Sequence, residues 1–528
     1  MGRLAGSIIL LSGWRRTLVA ILAGALAVLG QAPYDFPAAC FVSFPVLVWL
    51  LDGSAAATRP GIWGRIKQSF ATGYWFGFGY FLAGLWWIGG AVLVEADAFA
   101  WALPFAVFGI PLVLAVFYGV ACAVARLVWS DGLGRIFALA FGFGVAEWLR
   151  GFVLTGFPWN AIGYAAMPTP LLMQSVEVVG LVGMNMLAVF VFAVPALLAS
   201  VRGAGAGIGL AALLVTLHVG YGFYRMAQPA SDLTAKLAVR LVQPNVDMAE
   251  KWDPAVRDRI FRSLLELTAK PQPDGDPVPK VVVWPETSVP YIFSESPAAL
   301  AAIGETLKDG QVLIVGAVRE EGASSGSARF YNSVVQIDDS GQIVDAADKI
   351  HLVPFGEYLP FEDLFAAVGI RQLISGPMNF VPGTERRTLT TAGGVNLVPY
   401  VCYEIIFPAL MPPSGSPGVL LNVTNDAWFG DTPGPYQHLR QAQIRTVETR
   451  MPLIRVANTG ISAVMDSKGV LTRGLALNAG GTIDTIIDVP ASRVNWLARY
   501  RRYLEMAIFG AFFFLALTAK IVRQIRTR

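Results

Sequence analysis

Eight apolar runs of roughly bilayer-spanning length dominate this sequence, and they rule out a chain folded around a single water-soluble core. A helix needs about 20 predominantly apolar residues to cross the hydrocarbon layer. Such runs lie near residues 17–33, 37–52, 69–93, 101–125, 136–154, 178–200 and 204–224, with one more at 503–519. The second is short enough to be tilted or re-entrant. Of the 528 residues, 55% are hydrophobic and only 15% charged, and the mean hydropathy is +0.54, which is more apolar surface than one core can bury. The net charge of +3, with basic residues beside apolar runs instead of along a stripe, gives no footprint for nucleic acid. Glycines and aromatics between Gly73 and Gly90 suit close helix packing in lipid.

Lys and Arg in short loops concentrate on the cytoplasmic side of membrane proteins. Arg3, Arg15 and Arg16 precede the first run, Arg59, Arg65 and Lys67 follow the second, Arg126 and Arg135 separate the fourth from the fifth, and Arg202 follows the sixth. These are alternate loops, which places them on one side, the cytoplasm. Lys520, Arg523, Arg526 and Arg528 bring the C-terminus there too, and an odd number of preceding spans puts the polar stretch after residue 228 outside. Arg499, Arg501 and Arg502 sit at the outer end of the last run as a collar for anionic headgroups. An arginine followed by an apolar run also resembles a signal peptide, but Pro37 and the spans downstream argue for an uncleaved first helix.

From about Thr234 to Ile487 short apolar runs alternate with turn residues and helical stretches, the pattern of an α/β domain. Lys280–Trp284, Val312–Val318, Ser333–Ile337, Val398–Cys402, Val419–Val423 and Leu453–Val456 read as buried strands. Tyr436–Arg450 reads as a helix with Gln443, Arg445 and Glu448 on its polar faces. The expected organisation is a membrane domain over 1–228, an α/β domain over 234–490, and a C-terminal span with a basic tail over 500–528.

Three segments of the α/β domain carry chemistry. Cys402 is its only cysteine, and since Cys40 and Cys122 lie in apolar runs it is a free thiol. WPETSVP, beginning at Trp284, sets Glu286 just past an apolar run, and DKIHLVPFGEYLP, beginning at Asp348, supplies Lys349 and Glu357. Singly, each has a structural reading: a small core residue, a solvated strand end, a surface ion pair. Together they set an acid, an amine and a thiol, in that chain order, at or just after strand ends. A thiol of pKa about 8.5 is mostly protonated at neutral pH and needs a nearby base before it can attack a carbonyl.

This set resembles the Glu-Lys-Cys triad of the nitrilase superfamily, and the match extends to Tyr331-Asn332 and Asn422–Gly430. Attached to membrane helices, it resembles one family within that superfamily, the apolipoprotein N-acyltransferases. The resemblance implies a multi-pass α-helical membrane bundle plus an extracytoplasmic α/β domain of the αββα nitrilase sandwich type. It implies Glu286 as proton acceptor, Lys349 as oxyanion stabiliser beside the backbone N–H of Tyr403, and Cys402 as nucleophile. Glu357, Glu404 and Asn332 would support them, and Trp252, Trp428 and Phe429 would govern substrate access, with Trp428–Gly430 as a mobile flap. The implied reaction moves an acyl chain from a phospholipid, typically phosphatidylethanolamine, through a Cys402 thioester to the α-amine of diacylglyceryl-cysteine in apolipoproteins, without a cofactor. It is the final step of bacterial lipoprotein maturation, at the periplasmic face of the inner membrane. A membrane-tethered nitrilase-type amidase, releasing its acyl group to water, would carry the same motifs, whereas an intact triad argues against a mere lipoprotein-binding scaffold.

Other features yield no site. His218, His351 and His438 are far apart without Cys or carboxylate partners at ligand spacing, so no metal is expected. Gly322–Gly326 matches G-x-S-x-G, but in a small-residue loop with no following helix. Glu147 and Arg150, one helical turn apart, are expected to pair in a structural role. Gly156–Asn160 offers aromatics at headgroup level in an outward loop.

Overall fold

The computed structural model describes the chain apart from residues 1, 57–60, 95, 201, 230–231, 249–254, 273, 290, 323–327, 361–378, 492–498 and 528. Trp252 and most of the Gly322–Gly326 loop fall outside the described residues. The chain forms two compact units, one of Met1–Gly89, Pro104–Gln228 and Asn495–Arg528, the other of Gly90–Leu103 and Pro229–Val494. Gly90–Leu103, between and partly within the third and fourth apolar runs, thus clusters with the polar domain.

The first unit is helical. Seven helical stretches among the described residues are long and apolar enough to cross a membrane: Gly13–Gly30, Pro37–Ser54, Ile62–Leu93, Ala100–Leu127, Val176–Ala199, Ala204–Ala227 and Arg501–Ile525. The run expected at 136–154 forms the helix Leu133–Arg150, but Arg135, Glu147 and Arg150 are buried in it. Each of these charges is neutralised inside the unit, Arg135 by Asp52 and Arg150 by Glu147, while Tyr118 donates to Glu147 at 2.8 Å. Charge in an apolar bundle is tolerated only when so paired. Close approach relies on small residues, as where a methyl at Gly73 would overlap the Tyr118 carbonyl oxygen. Trp159, expected at headgroup level, is instead 2% exposed and packs on Trp87 and Phe157. Several basic groups cluster around residues 50–54 and the ends of the neighbouring helices. Arg16 reaches Leu50 O and Thr72, Arg126 reaches Leu51 O and Ser54, Arg523 pairs with Asp131, and Lys520 donates to Leu127 O.

Among the described residues the second unit contains twelve strands: β1 Leu233–Gln243, β2 Val281–Trp284, β3 Val312–Glu321, β4 Arg329–Asp338, β5 Ile343–Asp348, β6 Leu389–Thr390, β7 Asn396–Val401, β8 Val419–Thr424, β9 Leu453–Ala457, β10 Ser462–Met465, β11 Leu471–Leu475 and β12 Gly481–Pro490. They form two six-stranded sheets of order β12-β1-β2-β3-β4-β5 and β11-β10-β9-β8-β7-β6. In each sheet a central parallel trio, β1-β2-β3 or β7-β8-β9, is flanked by antiparallel strands. Residues alternate between faces, so Val281 and Val283 of β2 join Leu421, Val423, Ile454 and Val456 in a core between the sheets. Val282 and Trp284 turn the other way, into a second core with Ile260, Phe261 and Leu264 of the helix Arg257–Ala269 and Ile303 of the helix Pro297–Thr306. Strands buried on both faces read as unbroken apolar runs, which is why all six expected strands are present.

Candidate active site

The residues singled out in the sequence meet at the ends of strands on one side of the sheets. Glu286 lies two residues past β2, where Thr287 turns with φ +43°. Gly316 in β3 makes room for this turn, since a Cβ there would sit 2.5 Å from Glu286 Cα. Lys349 directly follows β5, and its N–H continues the ladder by donating to Asn332 O at 2.8 Å. Cys402 directly follows β7 at φ +53°, a conformation that is uncommon without glycine and persists only where the surroundings enforce it.

Lys349 is 1% exposed. Its ammonium lies 2.9 Å from both Glu357 carboxylate oxygens and 3.8 Å from Glu286 Oε1. Burial pulls the lysine down, but Glu357 and Glu286 together outweigh it and hold the ammonium above the ordinary lysine range. Asn332 Nδ2 bridges the two acids, donating to Glu286 Oε1 at 2.9 Å and Glu357 Oε1 at 2.7 Å. Backbone N–H groups of Asn425 and Val353 complete the two carboxylates, at 2.9 and 2.7 Å. The Cys402 thiol is pushed up, first by burial and then by the Glu286 carboxylate, with Lys349 opposing. Ionisation of the Cys402 thiol is thus disfavoured at rest.

Glu404 and Tyr403 tie these loops together. Glu404, fully buried, accepts from the backbone N–H groups of Ile350, His351 and Val401 at 2.9, 3.0 and 2.8 Å and from Arg386 at 3.1 Å. It thereby fastens the Lys349 loop to the Cys402 turn. Tyr403 donates its hydroxyl to Leu352 O at 2.6 Å, and its ring lies 5.5 Å from the Lys349 ammonium. Trp428 and Phe429 are half-buried in the short helical turn Asp426–Phe429 that follows β8. A Cβ on Gly90 would meet their carbonyl oxygens at 3.6 and 3.8 Å.

This geometry can activate a thiol and stabilise an oxyanion, and the sequence agrees with known proteins on both halves. Residues 23–194 match the apolipoprotein N-acyltransferase N-terminal domain, and residues 239–494 match the carbon-nitrogen hydrolase family. Proteins named apolipoprotein N-acyltransferase from Sinorhizobium medicae and Brucella suis are 58% and 56% identical to it, over 94% and 93% of this chain and 96% and 93% of theirs. The chain belongs to the apolipoprotein N-acyltransferase family. Among solved structures, a CN-hydrolase superfamily protein from Xanthomonas campestris is 19% identical with a TM-score of 0.35, covering 52% of this chain and 97% of that one. An amidase from Nesterenkonia sp. is 18% identical with a TM-score of 0.35, covering 53% and 97%. Within this family the chain is an enzyme of acyl transfer, with a membrane-type helical unit and a nitrilase-like domain.

Sequence reasoning left one part of the site unread. His438, set aside for want of a carboxylate partner, has one: its Nδ1 lies 2.9 Å from Asp426 Oδ1. Asp426 also takes 2.6 and 2.9 Å contacts from Arg455 and the Thr424 hydroxyl. Burial alone would raise Asp426, but Arg455 and His438 outweigh it and hold the carboxyl well below the usual range. Burial and then Arg455 push His438 down. The single Thr424 proton has a second acceptor, Cys402 Sγ at 3.4 Å. Asn422, Thr424 and Asp426 lay within the matched Asn422–Gly430 stretch; nothing in local spacing pointed to His438 or Arg455.

Proposed function

We propose that this enzyme transfers a fatty acyl chain from a phospholipid, with phosphatidylethanolamine the expected donor, to the α-amine of diacylglyceryl-cysteine in apolipoproteins, through a thioester on Cys402. The observation that carries the reading is a buried thiol at the strand ends where buried Glu286 and Lys349 lie 3.8 Å apart, in a chain of this family. Glu286 takes the thiol proton as Sγ attacks the ester carbonyl carbon, and Lys349 with the Tyr403 N–H receives the developing oxyanion. Collapse breaks the ester C–O bond, and Glu286 returns the proton to the departing lysophospholipid oxygen. The acceptor amine then attacks the thioester, gives its proton to Glu286, and Cys402 leaves and recovers it. Glu357 and Asn332 orient Lys349 and Glu286, Glu404 holds the two loops in register, and Trp428 and Phe429 border the acyl entrance.

The test is the mass of purified protein incubated with phosphatidylethanolamine and no acceptor. A fatty-acyl adduct on Cys402 that persists until a diacylglyceryl-cysteine peptide is added is the expected result, because a lipid-facing pocket excludes the water that would hydrolyse it. Prompt release of free fatty acid would turn the assignment to a hydrolase.

The reading requires the nitrilase-like domain, over 234–490, to lie on the periplasmic side of the inner membrane, between a membrane domain over 1–228 and a last span over 500–528, with both termini cytoplasmic. It is supported by the contacts of Arg16, Arg126, Arg135, Lys520 and Arg523 with the neighbouring segments 50–52 and 127–131, which border two of the loops expected on the cytoplasmic side. Cys402 is too buried to label reliably, whereas Val278 is 56% exposed. In a Val278→Cys chain whose own cysteines are replaced by Ala, a membrane-impermeant maleimide should label intact spheroplasts. Labelling only after lysis would place the domain in the cytoplasm and remove the periplasmic assignment.

A further inference from the structure

The carbonyl of Cys402 and the N–H of Tyr403 belong to one planar peptide group, so whatever fixes the carbonyl aims the N–H the opposite way. With Cys402 at φ +53°, intrinsic backbone preference does not hold this peptide in place. Two side chains do. Asn422 Nδ2 donates to Cys402 O at 3.1 Å and to Tyr400 O at 2.9 Å, and His438 Nε2 lies 3.2 Å from Cys402 O. A carbonyl only accepts, so the chemistry of the contact puts a proton on Nε2.

Both donors are set by one pair of charges. Arg455 donates through Nη1 to Asn422 Oδ1, fixing which end of the amide faces Cys402, and through Nη2 to Asp426 Oδ2 at 2.6 Å. Arg455 Nη2 also lies 3.2 Å from His438 Nδ1 and can donate to it, which leaves the proton of a neutral ring on Nε2. Asp426, 2.9 Å from the same Nδ1, holds Arg455 in place. Asn422, Arg455 and His438 are 0% exposed and Asp426 1%. They converge from β8, the turn after it, the helix Pro433–Thr449 and β9. A buried ion pair is weak support for stability, since apolar residues of the same volume often do as well. Donors to a peptide carbonyl also polarise the attached N–H, strengthening it as a donor.

We propose that the Arg455–Asp426 pair, acting through His438 and Asn422, orients and polarises the Cys402–Tyr403 peptide so that the Tyr403 N–H is preset to receive the oxyanion. His438 and Asn422 are positioning residues: they touch the nucleophile's carbonyl and not the substrate. The inference rests on the acyl-transfer reading of Cys402.

The test compares two reactions of the same thiol in the full-length protein. Alkylation by iodoacetamide expels iodide and forms no oxyanion, whereas acylation by a p-nitrophenyl ester or by phosphatidylethanolamine passes through one. His438→Phe keeps a ring of similar size without the donor, and His438→Gln restores an N–H near the position of Nε2. Acylation of His438→Phe should slow about 10- to 100-fold, less than for outright removal of an oxyanion donor, while its alkylation stays within about two-fold of the parent. His438→Gln should regain most of the lost acylation. A parallel fall in alkylation and acylation would show general disorder of the nucleophile and overturn the proposal, as would unchanged acylation in His438→Phe or no recovery in His438→Gln. Parent enzyme that reacts with the p-nitrophenyl ester but never with phospholipid would overturn the donor assignment alone, leaving the positioning claim to be judged on the ester.

Discussion

Replacing Cys402 with Ser will lower acyl transfer by at least about 1,000-fold, and replacing Glu286 with Gln will lower it by roughly 10²- to 10⁴-fold, the range expected for losing a nucleophile and a general base. The two losses differ in kind. Serine is nearly isosteric with cysteine, so the core between the sheets that contains Cys402 is preserved, but its hydroxyl is far less ionisable and gives an ester in place of a reactive thioester. Glu286→Gln keeps the thiol, whose pKa is already raised by burial first and the Glu286 carboxylate second. Removing that carboxylate relieves part of the shift, yet thiolate then forms only by spontaneous ionisation. Residual acylation in the glutamine variant should therefore climb with pH through about pH 9, near and beyond the ordinary thiol range. Pre-steady-state acylation measured by intact mass across a pH series checks both. Parent-like acylation at neutral pH in Glu286→Gln would mean that another group takes the proton.

The parts of this site that could be read in the sequence are those where local pattern and chemistry coincide. Glu286, Lys349 and Cys402 each follow a strand, and β2 and β7 are apolar runs whose ends are visible without a structure. The edge strands β12 and β11 were not visible for the opposite reason. β12 mixes polar and apolar residues as GTIDTIIDVP, and β11 is exposed over most of its length, so neither carries the unbroken apolar signal of a strand buried on both faces. Gln443, Arg445 and Glu448 were expected on the polar faces of the helix after the active-site turn, and sequence alone did not show that Arg445 and Glu448 would be buried and paired with each other. Arg240 shows why such burial is hard to foresee. Its partner Asp484 is 244 positions away and reaches it only because β1 lies beside β12. The His438–Asp426–Arg455 cluster has the same origin: its members are unremarkable singly, and only the parallel register of β8 and β9 brings Asn422 opposite Arg455.

Lys349→Met should abolish acylation and destabilise the nitrilase-like domain, and the second effect separates its two duties. Lys349 is the cation between Glu357 at 2.9 Å and Glu286 at 3.8 Å, with Asn332 bonded to both acids. Without it, two carboxylates share one buried site and cannot both stay ionised, so a proton is retained on the pair and the general base is compromised along with the oxyanion donor. Removing one partner of a buried ion pair typically costs about 3–5 kcal/mol. The lysine's folded pKa lies above its usual value, so its contribution to stability is fully present below about pH 10.4 and is lost only as pH rises past that. The destabilisation will therefore be seen in full at neutral pH. The double variant Lys349→Met/Glu357→Gln removes one of the two stranded charges and should recover much of the thermal stability, yet no acylation, because the oxyanion donor is still missing. Thermal melting in detergent, read beside acyl-adduct formation, distinguishes the cases. A double variant no more stable than the single one would show that Lys349 does not hold the acids together, and acylation by either variant would remove Lys349 from the reaction.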